Sequence, residues 1–576
     1  MMNLTDDIKK RIDIAAGRRA ADLVLKNAKI VDVFSERIIE GDIAISNERI
    51  AAIGEYSGKE EVDLNGKYVA PGLIDGHVHI ESSMVTPGQF AKAIVPHGTT
   101  SIIADPHEIA NVCGLDGIEY ILEESKDIPL DVFVMLPSCV PSTAFENSGA
   151  KLSAKELEKM IHIDRVLGLG ELMDYPAIIG GNEEVLQKIK IAGNKMKDGH
   201  GPGIDGKDLN AYVTSGIKTE HECTTIEEME NRIRLGMYVL VREGSAARNL
   251  EVLTKGITKA NLRRILFCTD DRHPEDILND GHIDNNIRLA IKNGIDPISA
   301  IKVASLNAAE CYRLYDRGAV APGYMADLIV IDDIKKFNIE KVLKNGKIVA
   351  KNGKSLFKVK SKKDSKIMNT VNLKQIDKDM LKIKLSSGIV NVMRLIPHSL
   401  VTQKVVRKVD TEDSYFKYNH MLDILKLVVV ERHKGTGNIG LGLVENFNLK
   451  DGAIASTVAH DSHNLIVVGD NDEDILLAIK ELGEIGGGIT ICSKGKVLKS
   501  LPLPIGGLIS DKALDEVSLQ LKEMLKIAYG MGVNKDIDPF MTLAFLALPV
   551  IPELKLTDVG LFDVTKFDFI DISVKN

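Results

Sequence analysis

Asp75-Gly76-His77-Val78-His79 follows the apolar run Tyr68–Ile74, which reads as a short strand with a Pro-Gly break. On an extended chain residues i and i+2 face the same side, so His77 and His79 would present both imidazoles to one point at the strand's end. Two convergent imidazoles are half of a divalent transition-metal site. Further metal-type residues follow. Glu171 closes the strand Val166–Gly170, and His200 sits in the loop Asp198-Gly199-His200-Gly201-Pro202-Gly203. His221 follows the stretch Val213–Glu220, and Asp270 closes Arg264–Thr269. Singly, each has a plain structural explanation, such as a cap or a surface histidine. Together, at the ends of successive strands, they point to one metal centre.

Elements that would position such a centre are legible in the texture between residues 69 and 316. Strands are expected at Ser101–Asp105, Leu130–Leu136 and Val166–Glu171, and helices at Gly117–Ser125 and Ala154–Ile161. This alternation predicts parallel strands with helical crossovers, and the length suits a (β/α)₈ barrel of ~250 residues, where chemistry sits at strand C-terminal ends. Residues 1–20 read as an amphipathic helix. Residues 21–33 read as strand, turn, strand, and Gly41–Gly54 as a hairpin turning at Asn47-Glu48. Similar short strands return at Ala326–Asp332 and Ile339–Val349. The fold class predicted is therefore α/β. A barrel (69–316) is inserted into a small β-sandwich built from 1–68 and 317–355. A Lys-rich linker at Lys358–Ser365 leads to a C-terminal α/β domain, 369–576, expected to alternate strands and helices.

Composition bounds the rest. With 44% apolar and 27% charged residues, the 576-residue chain reads as a soluble multidomain protein. A net charge of -9 gives no basic footprint for nucleic acid. The polar, acidic start at Met1–Asp7 has no signal-peptide character, and the run Phe540–Pro552 is too short to span a bilayer, so no membrane association is expected. Six scattered cysteines without a Cys-x-x-Cys pair suggest reduced thiols in a cytoplasm. His79-Ile80-Glu81 imitates half of the zinc nucleobase-deaminase signature, but the Pro-Cys-x-x-Cys half is absent. Glu81 is left as either a residue orienting a ligand histidine or a surface residue.

The run Pro71–His79 resembles the first-strand signature of the amidohydrolase superfamily, and Ala319–Leu328 resembles the return strand of its sandwich. Within the superfamily, further blocks are similar to the bacterial and archaeal adenine deaminase family. They are His79–Ser83, Asp105–Glu108, Glu171–Pro176, Asp198–Gly203, Arg242–Asn249, Cys268–Arg272, Ser456–Asn464 and Leu501–Ile505. The resemblance implies a metal set of His77, His79, Glu171, His200, His221 and Asp270, with Glu171 where many relatives carry a bridging lysine. It implies manganese or Fe²⁺, as a binuclear centre, and a homodimer acting in purine salvage. The implied reaction is hydrolysis of adenine at C6 to hypoxanthine and ammonia by a metal-bound hydroxide. Asp270 would be the proton shuttle, and Glu171 a ligand and ring-nitrogen donor. Ser82, Ser83, Asp105 and His107 are candidates for the purine side. His460 and His463 are further substrate-binding candidates, and with Asp461 they would belong to a loop that closes the site against water. Asp271 is expected to face away from the metal. A cyclic-amide hydrolase and a barrel that has lost its chemistry are the competing readings. Glu171 in place of lysine speaks against the first. Convergent buried polar groups, costly without a use, speak against the second.

Overall fold

The computed structural model describes residues 4–360 and 364–574. Part of the Lys358–Ser365 linker, and Met1–Asn3 of the N-terminal segment, lie outside the described residues. The N-terminal helix is Leu4–Ala15.

A nine-stranded sheet joins the two ends of the first 355 residues. Tyr68–Pro71 is the seam, pairing parallel with Ala21–Asp32 and antiparallel with Leu328–Ile331. Leu25, Ile30, Ile43, Val69, Leu328, Val330 and Leu343 from both segments share one small core. The segment read as strand, turn, strand is instead one strand, Ala21–Asp32, with a bulge between Leu25 and Ala28. Asn27 takes the left-handed backbone there (φ 55°), and its N–H donates to Asp42 Oδ1 at 3.0 Å. Asparagine tolerates that conformation as a single residue, so the strand bends without turning back.

Between these segments lie parallel strands in two hydrogen-bonded ladders. Leu73–His79, Thr99–Ala104, Asp131–Pro137, Val166–Leu172 and Met196–Gly199 form the first, in chain order. Thr219–Glu220, Tyr238–Arg242 and Ile265–Cys268 form the second. Two seams join them. Lys218 N donates to Lys197 O at 3.0 Å, and Asp270–Asp271 pairs with Val78 and His79 of the first strand. The ring of strands is thereby closed. The helix read at Ala154–Ile161 is only Ala154–Leu157, capped by Ser153 and Glu156, and it tightens into i→i+3 turns as Met160 N bonds Leu157 O. The run leading to His221 holds only the last two residues of helix Gly206–Thr214, then a turn, and a two-residue strand, Thr219–Glu220.

The last 200 residues differ from the expected alternation. They form an eight-stranded, largely antiparallel sheet, with the helix Asp472–Glu484 buried on one face through Ile475, Ala478, Ile479 and Leu482. The loop between Ala453–Ser456 and Leu465–Gly469 carries residues 457–464 to the barrel. From the barrel side, Phe145 packs on Phe562 at 4.7 Å and on Phe567 at 5.0 Å, and Asn147 bonds Asp558 through N (3.0 Å) and Nδ2 (2.6 Å).

Candidate metal centre

Strand alternation does at residues 77–79 what the spacing predicts. The two Nε2 atoms lie 3.2 Å apart, both rings buried. Glu171 ends the fourth strand and sits at the focus. Its Oε1 lies 3.3 Å from His77 Nε2, 3.7 Å from His79 Nε2, 3.4 Å from His200 Nδ1 and 3.1 Å from His221 Nε2. Asp270 Oδ1 lies 3.5 Å from His77 Nε2 and 3.1 Å from His79 Nε2. Two overlapping donor groups result, His77–His79–Glu171–Asp270 and Glu171–His200–His221, which share Glu171.

These residues fit a divalent cation. His221 Nε2 is buried with no hydrogen-bond partner although it faces Glu171. Mixed imidazole and carboxylate donors suit first-row transition metals. Among themselves the groups ionise each other. Burial alone would lower the His77 imidazole, but contact with Asp270 and Glu171 lifts it to about 10. Burial would raise Asp270, but Arg242 and the histidines hold it well below the usual carboxylate range.

Support comes from beneath. Asp75 is fully buried and accepts from the backbone N–H groups of both His77 (3.1 Å) and Thr269 (3.1 Å), tying the first strand to the last. Gly170 must lack a side chain, since a Cβ there would meet Asp105 Oδ2 at 2.0 Å. His79 Nδ1 bonds the Asp105 carbonyl at 2.8 Å, which fixes its ring and leaves Nε2 for the centre.

A cavity of about 100 Å³ opens over the donors, lined by His79, His107, Glu171, Asp270, His460 and Asp461, with Met173, Leu548 and Val550 as its apolar part. His107 Nδ1 lies 3.2 Å from Glu171 Oε2, and burial with the neighbouring His79 lowers the ring to about 3, keeping it neutral. His460 stacks on Phe545 at 4.4 Å, with Nδ1 3.4 Å from Glu108 Oε1. Ser82 donates to Asp271 Oδ1 at 2.5 Å.

Other candidates fall outside the cavity lining. Ser83 donates its hydroxyl proton to Ile80 O at 2.6 Å. Asp105 is buried behind His107, 3.8 Å from its Nδ1, and burial followed by repulsion from Glu171 raises its pKa well above normal. His463 is fully buried, with Nδ1 accepting from Ala459 N at 3.1 Å. Glu81 is buried, not on the surface, and accepts from Ile109 N at 3.1 Å. Asp271 is a correction: it lines the same cavity as Asp270. Asp270 has φ +58°, which breaks the extended alternation that would have turned its neighbour away. Two further residues belong to the site without a role assigned from the sequence. Glu222 and Arg242 line the cavity, and Arg242 Nη1 bridges Glu222 Oε1 (2.5 Å) and Asp270 Oδ2 (2.7 Å). The adjacency of Glu222 to His221 was the only signal available for it.

Parallel strands presenting His-x-His, a shared carboxylate, two further histidines and a terminal aspartate define a metal-dependent amidohydrolase. The chain matches the Amidohydrolase family over residues 68–349 and the Adenine deaminase C-terminal domain over 399–568. It is 55% identical to the adenine deaminase of Clostridium acetobutylicum over 98% of this chain and 100% of that one. It is 52% identical to the adenine deaminase of Nitratidesulfovibrio vulgaris strain Hildenborough, over 98% of each. It is 51% identical to adenine deaminase 2 of Carboxydothermus hydrogenoformans, over 98% of this chain and 100% of that one. The chain belongs to the adenine deaminase family of amidohydrolases. Among the described residues no helix is long and apolar enough to cross a membrane.

Proposed function

We propose that the protein converts adenine and water to hypoxanthine and ammonia, with His77, His79, Glu171, His200, His221 and Asp270 holding two divalent ions, manganese or Fe²⁺. The observation that carries this is Glu171 Oε1, 3.1 to 3.7 Å from four histidine nitrogens beneath a cavity of about 100 Å³. Ions held there would lower the pKa of water towards ~7 and so supply a nucleophile at neutral pH.

Asp270 does the proton work. Arg242 fixes its Oδ2, so Oδ1 alone faces the reacting atoms. It takes a proton from the attacking oxygen and returns one to the C6 amine as the C–N bond breaks. Glu171 positions four imidazoles and offers the ring nitrogen a neighbour. Met173, Leu548 and Val550 flank the purine faces and exclude water, and His107 and His460 meet its polar edges. Ser82 acts through Asp271, while Ser83, Asp105 and His463 support the wall. We read residues 1–68 with 317–355 as the sandwich, 69–316 as the catalytic barrel and 369–576 as the closing domain. We read the enzyme as a cytoplasmic homodimer serving purine salvage. Its six unpaired cysteines agree with a reducing compartment.

Purified protein supplied with manganese should release ammonia from adenine and not from guanine, cytosine or a cyclic amide. Release from the cyclic amide alone would overturn the reading. Light scattering would test the dimer.

A further inference from the structure

A second cavity, of about 60 Å³, lies between the domains and shares a wall with the cavity over the metal donors. That wall is His460, which lines both. Its ring stacks on Phe545 at 4.4 Å with 27° between the planes, and its Nδ1 stands 3.4 Å from Glu108 Oε1. The loop behind the ring is fixed through its main chain. His460 N donates to Ala544 O at 3.0 Å, and His433 Nε2 meets Ser462 O at 2.7 Å. The fully buried Arg432 donates Nε to His463 O at 2.5 Å. The partition between the cavities is therefore two aromatic side chains on a braced backbone.

The second cavity runs between helix Pro274–Asp280 of the barrel and helices Leu514–Gly530 and Pro539–Phe545 of the C-terminal domain. Glu275 also lines it, with a side chain 44% exposed that pairs with Lys522, 41% exposed, at 3.3 Å. One space therefore touches solvent at Glu275 and the metal cavity at His460. The metal cavity has an opening of its own at Val550, which is 43% exposed.

Hydrolysis of adenine leaves two products of unequal size in one place. Hypoxanthine keeps the position of adenine beside Met173, Leu548 and Val550, and so stands between the reacting carbon and the opening at Val550. Ammonia, freed as the bond to C6 breaks, lies on the inner side of the base. We propose that the second cavity is its exit: ammonia leaves past His460 and Phe545 towards Glu275 while hypoxanthine still fills the metal cavity. This rests on the deaminase reading and deepens it. A water-sized molecule needs only about 10–15 Å³ of such space. The second cavity offers more than that, and its walls suit a small neutral amine. Leu521, Leu525 and Phe540 bring no side-chain polar group to detain it, while Ser456, Asp538 and Glu275 offer oxygens to its N–H bonds. Turning the His460 and Phe545 rings opens the way without moving the braced loop, and a separate exit keeps the released ammonia from adding back at C6.

The test fills the second cavity from its outer walls in the manganese-loaded full chain. Leu525→Trp and Met541→Trp act from different helices at half-buried positions, so one serves if the other does not fold. Metal content and the rate of the first turnover, followed by rapid quench with enzyme in excess, should match the parent. Steady-state kcat should fall severalfold, with a burst of about one hypoxanthine per site before the slow phase, because product release and not chemistry is obstructed. The kcat/KM for adenine should hold, since the base enters by the other opening. Leu525→Ala, which widens the passage, should keep the parent kcat. An unchanged kcat in a folded Trp variant overturns the assignment. So does a first turnover slowed as much as kcat with no burst, which marks a distorted metal centre. A fall in kcat/KM equal to the fall in kcat shows the base using the passage and overturns an exit for ammonia. A parent enzyme that releases no ammonia from adenine overturns the deaminase reading itself, and the exit with it.

Discussion

Arg242 Nη1 donates to Asp270 Oδ2 at 2.7 Å, while the other oxygen of the same carboxylate lies 3.1 Å from His79 Nε2. The carboxylate is thus divided, one oxygen committed to a cation that cannot lose its proton and the other turned to the metal donors. Its backbone is at φ +58°, a conformation that costs a non-glycine residue about 1 kcal/mol or more and is tolerated where function demands it. If Oδ1 is the proton shuttle, Asp270→Asn should retain metal and lose kcat by on the order of 10²–10⁴-fold, with adenine KM little changed. If Asp270 is only a ligand, metal is lost and excess manganese restores the rate. Metal content and kcat measured on one preparation separate the two.

Arg242 carries a second, milder prediction. Its guanidinium meets Glu222 through both Nη1 (2.5 Å) and Nη2 (3.1 Å) while also holding Asp270. Lysine keeps the charge but has no planar fork, so Arg242→Lys frees Asp270 Oδ2 to rotate. The expected result is a fall in kcat of roughly tenfold, from one misplaced charged hydrogen bond, with metal content unchanged. A variant with full kcat would show that Asp270 needs no anchor.

Glu171 is shared by both donor groups, so neutralising it should act on both ions. Glu171→Gln keeps the shape and removes the negative charge that balances four imidazoles. Metal per chain should fall, and kcat should drop on the order of 10²-fold or more even with added manganese. Elemental analysis after gel filtration checks it. Full retention of metal would mean that His77, His79 and Asp270 hold one ion without the carboxylate between them.

Residues whose direction follows from local geometry were legible in the sequence. His77 and His79 converge because a two-residue period needs nothing from the rest of the chain, and Glu171 is reached because an apolar strand delivers it. Asp271 was misread for the same reason: alternation holds only while φ stays extended, and nothing in Cys268-Thr269-Asp270-Asp271 announces a left-handed residue. Arg242 stands in the block Arg242–Asn249, where nothing in the local pattern assigns it a role. Its partners, at positions 222 and 270, are distant in sequence and meet it because the strands Thr219–Glu220, Tyr238–Arg242 and Ile265–Cys268 pair side by side. The C-terminal sheet reads as alternating strands and helices because its two long helices, Asp472–Glu484 and Leu514–Gly530, dominate the pattern, while the short antiparallel strands around them carry little period.

Lys555 allows a test of the closing domain that needs no substrate. It is fully buried, and its Nζ donates to Leu400 O and Phe545 O, both at 3.0 Å, at the base of the segment that supplies Leu548 and Val550 to the cavity. Burial lowers its ammonium to about 7. In the unfolded chain lysine titrates near ~10.4. Between these values the unfolded state holds a proton that the folded state lacks, so stability rises with pH across that window and is lost as pH falls towards 7. Lys555→Met removes the titration and keeps the packed stem. The difference in unfolding free energy, parent minus variant, should therefore grow from pH 7 to pH 9.5 with a slope of at most about 1.4 kcal/mol per pH unit, and the difference in Tm should grow with it. Other titrating groups cancel in that difference. Parallel Tm curves over the range would mean that Lys555 keeps an ordinary ammonium, held fully by its two carbonyls, and does not set the stability of the segment over the cavity.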